Sequence, residues 1–311
     1  MQKNTLELLT LKTMTEVKPN FLIIGAAKAG TTSLYYYLKQ HNDIGFPSLK
    51  EPKYFSSSCI DFPQKGPGDW SYDNYHIKDE SKYFNLFENL KDFKKTGEAS
   101  PDYLFYHEHT AKKIINTLGD IPIIILLRNP IDRAYSAYSH LVRDGRELIS
   151  FREALSLENE RTVNRWDFMW RYKKASMYYS QVKTFLNTFS NVKIVIFEEF
   201  ITDPLFFTND ILQFLKLDRL KSIKILNHNP SGIPTNFISK FILNRNSKLS
   251  VQIREFLKRN ISRGLLETIA KKSLKKNKIK IEDREFLANI FKEDVQYLES
   301  LLGQDLKIWK K

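Results

Sequence analysis

One stretch of the chain places two glycines, a lysine and three hydroxyl side chains within nine residues. It runs from Gly25 to Ser33 as GAAKAGTTS and follows the apolar run 21–24. A strand, a glycine-bounded loop and a helix together bind phosphate on backbone N–H groups at the helix N-terminus. The glycine spacing is that of a P-loop, but Thr31 stands where the P-loop lysine would be, and the lysine lies inside the loop as Lys28. We therefore expect a phosphate site for a nucleotide donor other than ATP or GTP, formed by Ala26, Ala27, Lys28, Ala29, Gly30, Thr31 and Thr32.

A second candidate site begins where the apolar run 121–127 ends. Arg128 follows this run, and Pro130 suits the first turn of a helix. Ser136 and His140 are four residues apart, so they share one face of that helix. An arginine at the carboxyl end of a strand suits a terminal phosphate because its guanidinium can bond two oxygens. The alternative is that Arg128 pairs with an acid at the edge of the core and that His140 is structural.

Three apolar runs predict the elements that position these sites: 21–24, 121–127 and 192–197. Each is followed by turn residues and then by helical periodicity. This alternation predicts an α/β protein with a central, mainly parallel sheet and helices on both faces. We expect a lead-in over 1–18 and one domain over 19–311.

Four further segments have a recognisable composition or spacing. Residues 56–80 are rich in Ser, Pro, Gly, Asp and Tyr and predict a surface loop. His107 and His109 are interpreted as loop histidines, because no third metal ligand accompanies them.

Trp166 and Trp170 are four residues apart, a spacing that favours a buried helix face over a sugar-stacking pair. Phe286, Ile290, Tyr297 and Leu301 predict the apolar face of a last helix that ends at Gly303.

The net charge of the chain is +13, and most of this excess is local. Between Lys240 and Lys280 there are 13 Lys and Arg residues against 2 acids. We interpret residues 238–280 as a basic helical segment. It is either a solvated face or a patch for an anionic partner such as an acidic polysaccharide, a nucleic acid or a membrane surface.

Cysteine usage and hydropathy bear on the compartment. Cys59 is the only cysteine, so no internal disulfide can form. The first 18 residues lack the apolar core of a secretory signal, and no run of 18 apolar residues occurs. These features predict a cytoplasmic protein.

The two phosphate motifs together resemble those of sulfotransferases that use 3′-phosphoadenosine 5′-phosphosulfate. The resemblance covers about residues 20–310 and is nearest to the carbohydrate branch, which includes bacterial enzymes and the N-sulfotransferase domain of heparan sulfate enzymes. Further segments that carry it are KEPKYF at 50–55, GEASPDY at 97–103, NPSG at 229–232 and LLGQDL at 301–306, followed by Trp309.

The resemblance implies a P-loop-like three-layer fold and a role for each motif. Glu51 would be the general base, Lys28 would stabilise the leaving group, and His140 would lie near the reacting sulfate. Arg128 and Ser136 would hold the 3′-phosphate, and Ser231 and Gly232 would cover the donor. The product would be adenosine 3′,5′-bisphosphate, and no metal would be required.

The resemblance also implies a glycan or glycolipid as acceptor, with no nucleic acid as partner. It departs from the heparan sulfate enzymes at residues 227–236, which contain no counterpart of their late catalytic lysine. Two other readings stay open at this point. One is a P-loop kinase, which Thr31 and the lack of a Walker B acid disfavour. The other is a non-enzymatic binder of an acidic polymer through the basic segment.

Overall fold

The computed structural model describes residues 17–73, 75–225, 232–234, 240, 243–247, 249–250, 252–253, 274–275 and 278–309. Most of the basic segment 238–280 and the lead-in before Val17 therefore lie outside the described residues.

A five-stranded parallel sheet forms the centre of the molecule, with strand order β2-β3-β1-β4-β5. Its strands are β1 (Phe21–Gly25), β2 (Ile44–Gly45), β3 (Lys95–Ala99), β4 (Ile123–Leu127) and β5 (Val192–Ile196). In register, Phe21 lies beside Gly97, Leu22 beside Ile123, and Leu127 beside Ile196. Every residue of β1 and β4 is buried, as expected for central strands covered on both faces. The three apolar runs are confirmed as β1, β4 and β5.

Helices cover both faces of this sheet. They are α1 (Thr31–Leu38), α2 (Trp70–Asp73), α3 (Glu80–Asn85), α4 (His107–Leu118), α5 (Pro130–Arg143), α6 (Phe151–Ser156), α7 (Glu158–Val163), α8 (Tyr179–Thr188), α9 (Phe197–Phe200), α10 (Pro204–Phe214) and α11 (Ile281–Leu302). Helix α1 packs against α10, whereas α4 packs against α8 and α8 against α11. The three-layer α/β class predicted from the sequence is confirmed.

A short antiparallel pair stands apart from the main sheet. Strand β6 (Ile233–Pro234) pairs with β7 (Leu274–Lys275), and Ile233 lies opposite Lys275. Strand β6 also contacts α5. This pair brings the end of the basic segment next to the helix that carries Ser136 and His140.

Strand order places the glycine loop at a reversal of the chain. The chain goes from β1 outward to β2, returns to β3 beside β1, and then crosses to β4 on the other side of β1. In open α/β sheets, ligands bind at the carboxyl ends of the strands where such a reversal occurs. The loop after β1 and Arg128 after β4 both lie at this position.

Several local predictions are wrong. Residues 56–80 contain α2 and several buried side chains, among them Ser56, Asp69 and His76, so they are not a surface loop. His107 and His109 lie in the first turn of α4, not in a loop. Trp166 and Trp170 lie in and beside a short 3-10 turn, where their rings meet edge to face at 4.7 Å.

The last helix is confirmed, with Gly303 as its left-handed C-cap at φ 62°. Its predicted apolar face is wrong, because Phe286 and Tyr297 are exposed. The buried positions are instead Leu287, Phe291 and Leu298, which point toward α5 and α8.

Candidate active site

The loop between β1 and α1 has the compact form that a phosphate site requires. Lys28 lies in the left-handed region at φ 71°, and the N–H of Ala29 donates to the carbonyl of Ala26 at 3.1 Å. Gly30, at φ 91°, is the N-cap of α1. A Cβ on Gly30 would lie 2.7 Å from the ring of Phe197, so only glycine fits there. Ala26, Ala27, Ala29 and Thr31 are buried, while Lys28 and Thr32 are partly accessible.

Arg128 meets this loop directly. Its Nη1 donates to the carbonyl oxygen of Lys28 at 3.2 Å, and its guanidinium lies 4.9 Å from the ring centroid of Phe197. The Nε of Arg128 is buried without a hydrogen-bond partner in the described structure. A buried donor without a partner is costly unless something else bonds it, so this atom fits an anionic ligand.

His140 lies on α5, the helix that also carries the half-buried Ser136. Two cations, Arg143 and Lys28, flank its ring. Its Nδ1 lies 2.8 Å from Nη2 of Arg143 and 3.4 Å from Nζ of Lys28. Lysine and arginine only donate, so Nδ1 accepts and the ring proton is on Nε2. That nitrogen faces Oδ2 of Asp144 at 3.6 Å. Burial, together with the charge of Lys28, holds the pKa of His140 well below its usual value, so the ring is neutral.

Asp144 is the negative charge that holds these cations together. It is buried, and its carboxylate accepts from Nε of Arg143 at 2.9 Å and from the hydroxyl of Tyr72 at 3.2 Å. Arg245 lies 3.4 Å away and also donates its backbone N–H to the Asp144 carbonyl. Burial opposes ionisation of Asp144, but His140 and the two arginines outweigh it and hold the pKa below its usual range.

Lys28 has an unusual protonation equilibrium in this cluster. Burial and the neighbouring charge of Arg143 lower its pKa to about 7, with a smaller effect of Arg128 in the same direction. Asp144 and Glu51 act in the opposite direction but are outweighed. An anion that enters beside Lys28 would restore its preference for the charged form.

Glu51 lies on a strained turn close to the same lysine. Glu51 and Lys53 both have left-handed backbones, at φ 61° and 53°. The ammonium of Lys50 donates to Oε1 of Glu51. Burial opposes ionisation of Glu51, but the charges of Lys50, Lys53 and Lys28 together hold its pKa below the usual value. Glu51 is therefore a carboxylate at neutral pH.

A buried carboxylate at the end of β3 anchors this turn, and nothing in the sequence beyond the GEASPDY resemblance marked it. Glu98 accepts from the hydroxyls of Tyr103 and Ser100 at 2.7 Å each and from that of Tyr83 at 3.2 Å. The Oγ of Ser100 in turn accepts from the N–H of Lys53 at 3.1 Å. Burial raises the pKa of Glu98 to about 7, against the effect of these hydroxyls.

Asp102 is a second buried acid near the turn. Its Oδ2 accepts from the hydroxyl of Ser56 at 2.5 Å, while Oδ1 is buried without a partner in the described structure. Burial raises the pKa of Asp102 to about 6. Burial opposes the charge of Lys53, but Asp102 and Asp167 outweigh it and raise the pKa of that lysine. Asp102 therefore lies close enough to Glu51 and Lys53 to interact with both charges.

The late part of the chain is only partly visible at the site. Gly232 is buried, and a Cβ there would lie 2.9 Å from Cβ of Leu274. Ser231 lies outside the described residues. The β6–β7 pairing places Lys275 opposite Ile233, the residue after Gly232.

The two histidines of α4 that the sequence singled out each make a hydrogen bond to a hydroxyl group. His107 Nδ1 lies 2.8 Å from Oγ1 of Thr184, and His109 Nε2 lies 2.8 Å from Oγ of Ser58. Among the described residues, no group of three or more His, Cys, Asp or Glu side chains is arranged to hold a metal ion. Within the same residues, no helix is both long and apolar enough to cross a membrane.

Comparison with known proteins gives a consistent result. A family model described as "Sulfotransferase family" matches residues 19–221. The crystal structure of a sulfotransferase from Alicyclobacillus acidocaldarius superposes with a TM-score of 0.76 and 35% identity, covering 95% of this chain and 100% of that one.

Two curated relatives match shorter stretches. The membrane-associated sulfotransferase kil1 of Dictyostelium discoideum is 37% identical over 120 residues, which is 39% of this chain and 22% of the relative. The human heparan sulfate glucosamine 3-O-sulfotransferase 3B1 is 28% identical over 205 residues, which is 65% of this chain and 47% of the relative. The matched region thus spans less than half the length of each of these relatives.

Proposed function

This chain belongs to the sulfotransferase family, and on that premise we propose that it transfers the sulfuryl group of 3′-phosphoadenosine 5′-phosphosulfate to a hydroxyl or amine of a carbohydrate. The observation that carries the choice of donor is the contact between Lys28 and Arg128. It joins the glycine loop to the end of β4 and leaves a buried guanidinium nitrogen without a partner. A donor with phosphates at both ends of its ribose would use both positions.

The donor has one anchor on each side of this contact. The backbone N–H groups of the loop 26–32 other than those of Ala26 and Ala29, which already donate to carbonyls, bind the 5′-phosphate together with the N-terminus of α1. Arg128 and Ser136 bind the 3′-phosphate, so a donor without that phosphate would lose these contacts. The resemblance assigns the cover of the nucleotide to Gly232 and to Ser231, which lies outside the described residues. Hydrogen-bonding groups held in place by the fold stabilise negative charge as it develops during the transfer, so the proposal includes no metal ion.

In the proposed transfer, the acceptor hydroxyl or amine attacks sulfur in line with the 5′-phosphate oxygen. The bond from the acceptor atom to sulfur forms as the bond from sulfur to the phosphate oxygen breaks, and the acceptor proton passes to Glu51. Lys28 donates to the departing oxygen, so the products are the sulfated acceptor and adenosine 3′,5′-bisphosphate. The carbohydrate class follows from heparan sulfate, the polymer named for the human relative.

His140 acts on Lys28 in this proposal. Its neutral Nδ1 accepts from Lys28 and from Arg143, so it orients the ammonium group without adding a positive charge. Its Nε2–H points toward Asp144 and is available to a sulfate oxygen only if the ring turns.

The experiment that tests the proposal compares Glu51→Gln with the wild-type protein. We expect the affinity for adenosine 3′,5′-bisphosphate to stay within about twofold and turnover to fall by about 10²-fold or more, because the general base is lost. Donor carrying ³⁵S and a panel of glycans, glycolipids and phenols measure turnover, in buffer containing EDTA. Glu108→Gln is the control, since Glu108 is an exposed acid at the start of α4.

Two results would contradict this proposal in different ways. Full turnover in Glu51→Gln would remove Glu51 as the base. Failure of the wild-type protein to bind the bisphosphate would remove the donor assignment altogether.

A further inference from the structure

A cavity of about 690 Å³ lies beside α5, apart from the cluster around Lys28. Tyr135 and Tyr138 line it from α5, and Phe151 and Arg152 line it from α6. With 3.6 residues per turn, His140 lies about 160° around the helix from Tyr138. The cavity and the proposed reaction centre therefore occupy nearly opposite sides of the same helix.

Aromatic rings form the floor of this cavity. The centroid of Phe151 lies 5.2 Å from that of Tyr135 and 5.0 Å from that of Tyr138. Both tyrosine hydroxyls donate to backbone carbonyls, Tyr135 to Lys278 at 3.2 Å and Tyr138 to Ile149 at 3.0 Å. These bonds fix the rings, so the floor is a rigid, mostly apolar surface.

Free positive charge surrounds the aromatic floor. Lys275, Lys278 and Lys280 are exposed, and none makes an ion pair with a residue that the structure describes. Of the acids at the cavity, Asp283 is already bound by Nε of Arg152 at 2.9 Å. The other acid is Glu282, whose single negative charge is outweighed by the three lysines, so the net charge of the rim is positive.

The N-terminus of α11 adds to this field. Lys280 is the N-cap of this 22-residue helix, and its side chain makes no capping hydrogen bond. The first amides of a helix carry a partial positive charge and attract anions. Lys280 thus places its charge and the start of α11 at the rim of the cavity, where Glu282 and Asp283 in the first turn offset part of this field.

We propose that this cavity binds an acidic oligosaccharide and serves as a subsite for a part of the acceptor chain remote from the sugar that is sulfated. A sugar chain with carboxylate or sulfate groups has both features that the cavity matches: apolar ring faces for the aromatic floor and anionic groups for the lysines. The choice of a saccharide rests on the carbohydrate acceptor of the proposed function. A second contact along one polymer raises the effective concentration of the reacting sugar, so long chains gain more than short ones.

The test measures binding directly, with no sulfuryl transfer involved. A heparin-derived octasaccharide is titrated into the full chain by calorimetry without donor. We expect the double variant Lys278→Glu, Lys280→Glu to bind at least about tenfold more weakly than wild type. The matched control reverses two exposed lysines that do not line the cavity, Lys221→Glu and Lys292→Glu, and should stay within about twofold.

Three outcomes would overturn the proposal. Equal octasaccharide affinity in the two double variants would show that the cavity is not used. A parallel loss of adenosine 3′,5′-bisphosphate binding in the Lys278, Lys280 variant would assign the cavity to the donor. An oligodeoxynucleotide of equal charge that binds as tightly, with the same loss, would show a surface for polyanions in general. Octasaccharide binding that behaves as expected in a protein that fails to bind the bisphosphate would instead contradict only the proposed function.

Discussion

In the proposed function, Lys28 couples donor binding to protonation. Burial and the charges of Arg143 and Arg128 outweigh those of Asp144 and Glu51, so the pKa of Lys28 falls to about 7. The free protein therefore holds Lys28 partly uncharged at neutral pH. A bound phosphosulfate supplies negative charge and shifts the equilibrium toward the ammonium, so donor binding takes up a proton above pH 7.

This linkage predicts a pH-dependent affinity for adenosine 3′,5′-bisphosphate. Between pH 7 and 9 we expect the dissociation constant to rise by up to about tenfold per pH unit, because the unliganded lysine loses its proton first. The phosphates are largely ionised in this range, and Glu51 and Asp144 have lowered pKa values and do not titrate there. Calorimetry at several pH values, in buffers of different ionisation enthalpy, measures both the affinity and the proton uptake.

Two variants test the assignment to Lys28. Lys28→Met should bind more weakly and lose the pH dependence. Lys53→Met should keep it, since Asp102 and Asp167 outweigh burial and hold the pKa of Lys53 above its usual value, which already lies above this range. A slope that survives in Lys28→Met would place the titrating group elsewhere.

The glycine spacing and the sequence Arg-Asn-Pro at 128–130 were enough to predict that Lys28 and Arg128 lie at the same edge of the sheet. They carried no information about the protonation of His140. Its tautomer depends on Arg143 and Asp144, which follow on the next helical turn, and on the fold that brings Lys28 to it. A histidine's role is set by what surrounds it in space, which spacing alone does not reveal.

At the scale of elements, β3 holds the turn that carries Glu51. The N–H of Lys53 donates to Ser100, and the carbonyl of Pro52 accepts from the N–H of Ile77 at 2.9 Å. Two left-handed residues in one turn are costly, so such contacts are needed to keep them in place. Glu98 orients Ser100 by accepting a hydrogen bond from its hydroxyl, and so links the sheet to the proposed base.

Two single-hydroxyl deletions separate this positioning role from general stability. Ser100→Ala removes a hydroxyl that donates to Glu98 and also accepts from Lys53, whereas Tyr83→Phe removes one that only donates to Glu98. We expect each to lower the free energy of unfolding by about 1–3 kcal/mol, measured in urea. Only Ser100→Ala should lower turnover at saturating donor, by about tenfold or more, with bisphosphate affinity unchanged. Equal turnover in the two variants would contradict the link from β3 to Glu51.

Strand β3 also shows why part of the sheet was missed. Its sequence is KTGEA, with Thr96 and Glu98 buried, so neither alternation nor an apolar run marks it. A buried polar strand is stable here because its side chains find partners across the fold, and those partners are distant in sequence. Strands β1, β4 and β5 were predictable because burial on both faces made them uniformly apolar.

At the scale of the whole molecule, the last turn closes onto the end of β4. The Nδ2 of Asn129 donates to the carbonyl of Trp309 at 2.9 Å, across 180 residues of chain. The indole N–H of Trp309 donates to one carboxylate oxygen of Glu198 at 2.9 Å, and the other accepts from the N–H of Asn129 at 2.9 Å. Resemblance in sequence marked Trp309 as a family position, but only the fold shows that it supports the residue next to Arg128.

This closure predicts that a change at residue 309 reaches the proposed donor site. Trp309→Phe keeps most of the packing and removes the hydrogen bond to Glu198, so we expect a loss of about 1–3 kcal/mol in unfolding free energy, because the acceptor is charged. Without this bond, Glu198 holds Asn129 less firmly at the N-cap of α5, and bisphosphate affinity should fall by about threefold or more.

Trp166→Phe is the matched control, since Trp166 is half-buried and lies away from the end of β4. Urea unfolding and calorimetric titration of both variants measure the effect. Unchanged bisphosphate affinity in Trp309→Phe, with stability reduced, would show that the last turn stabilises the fold without reaching Arg128.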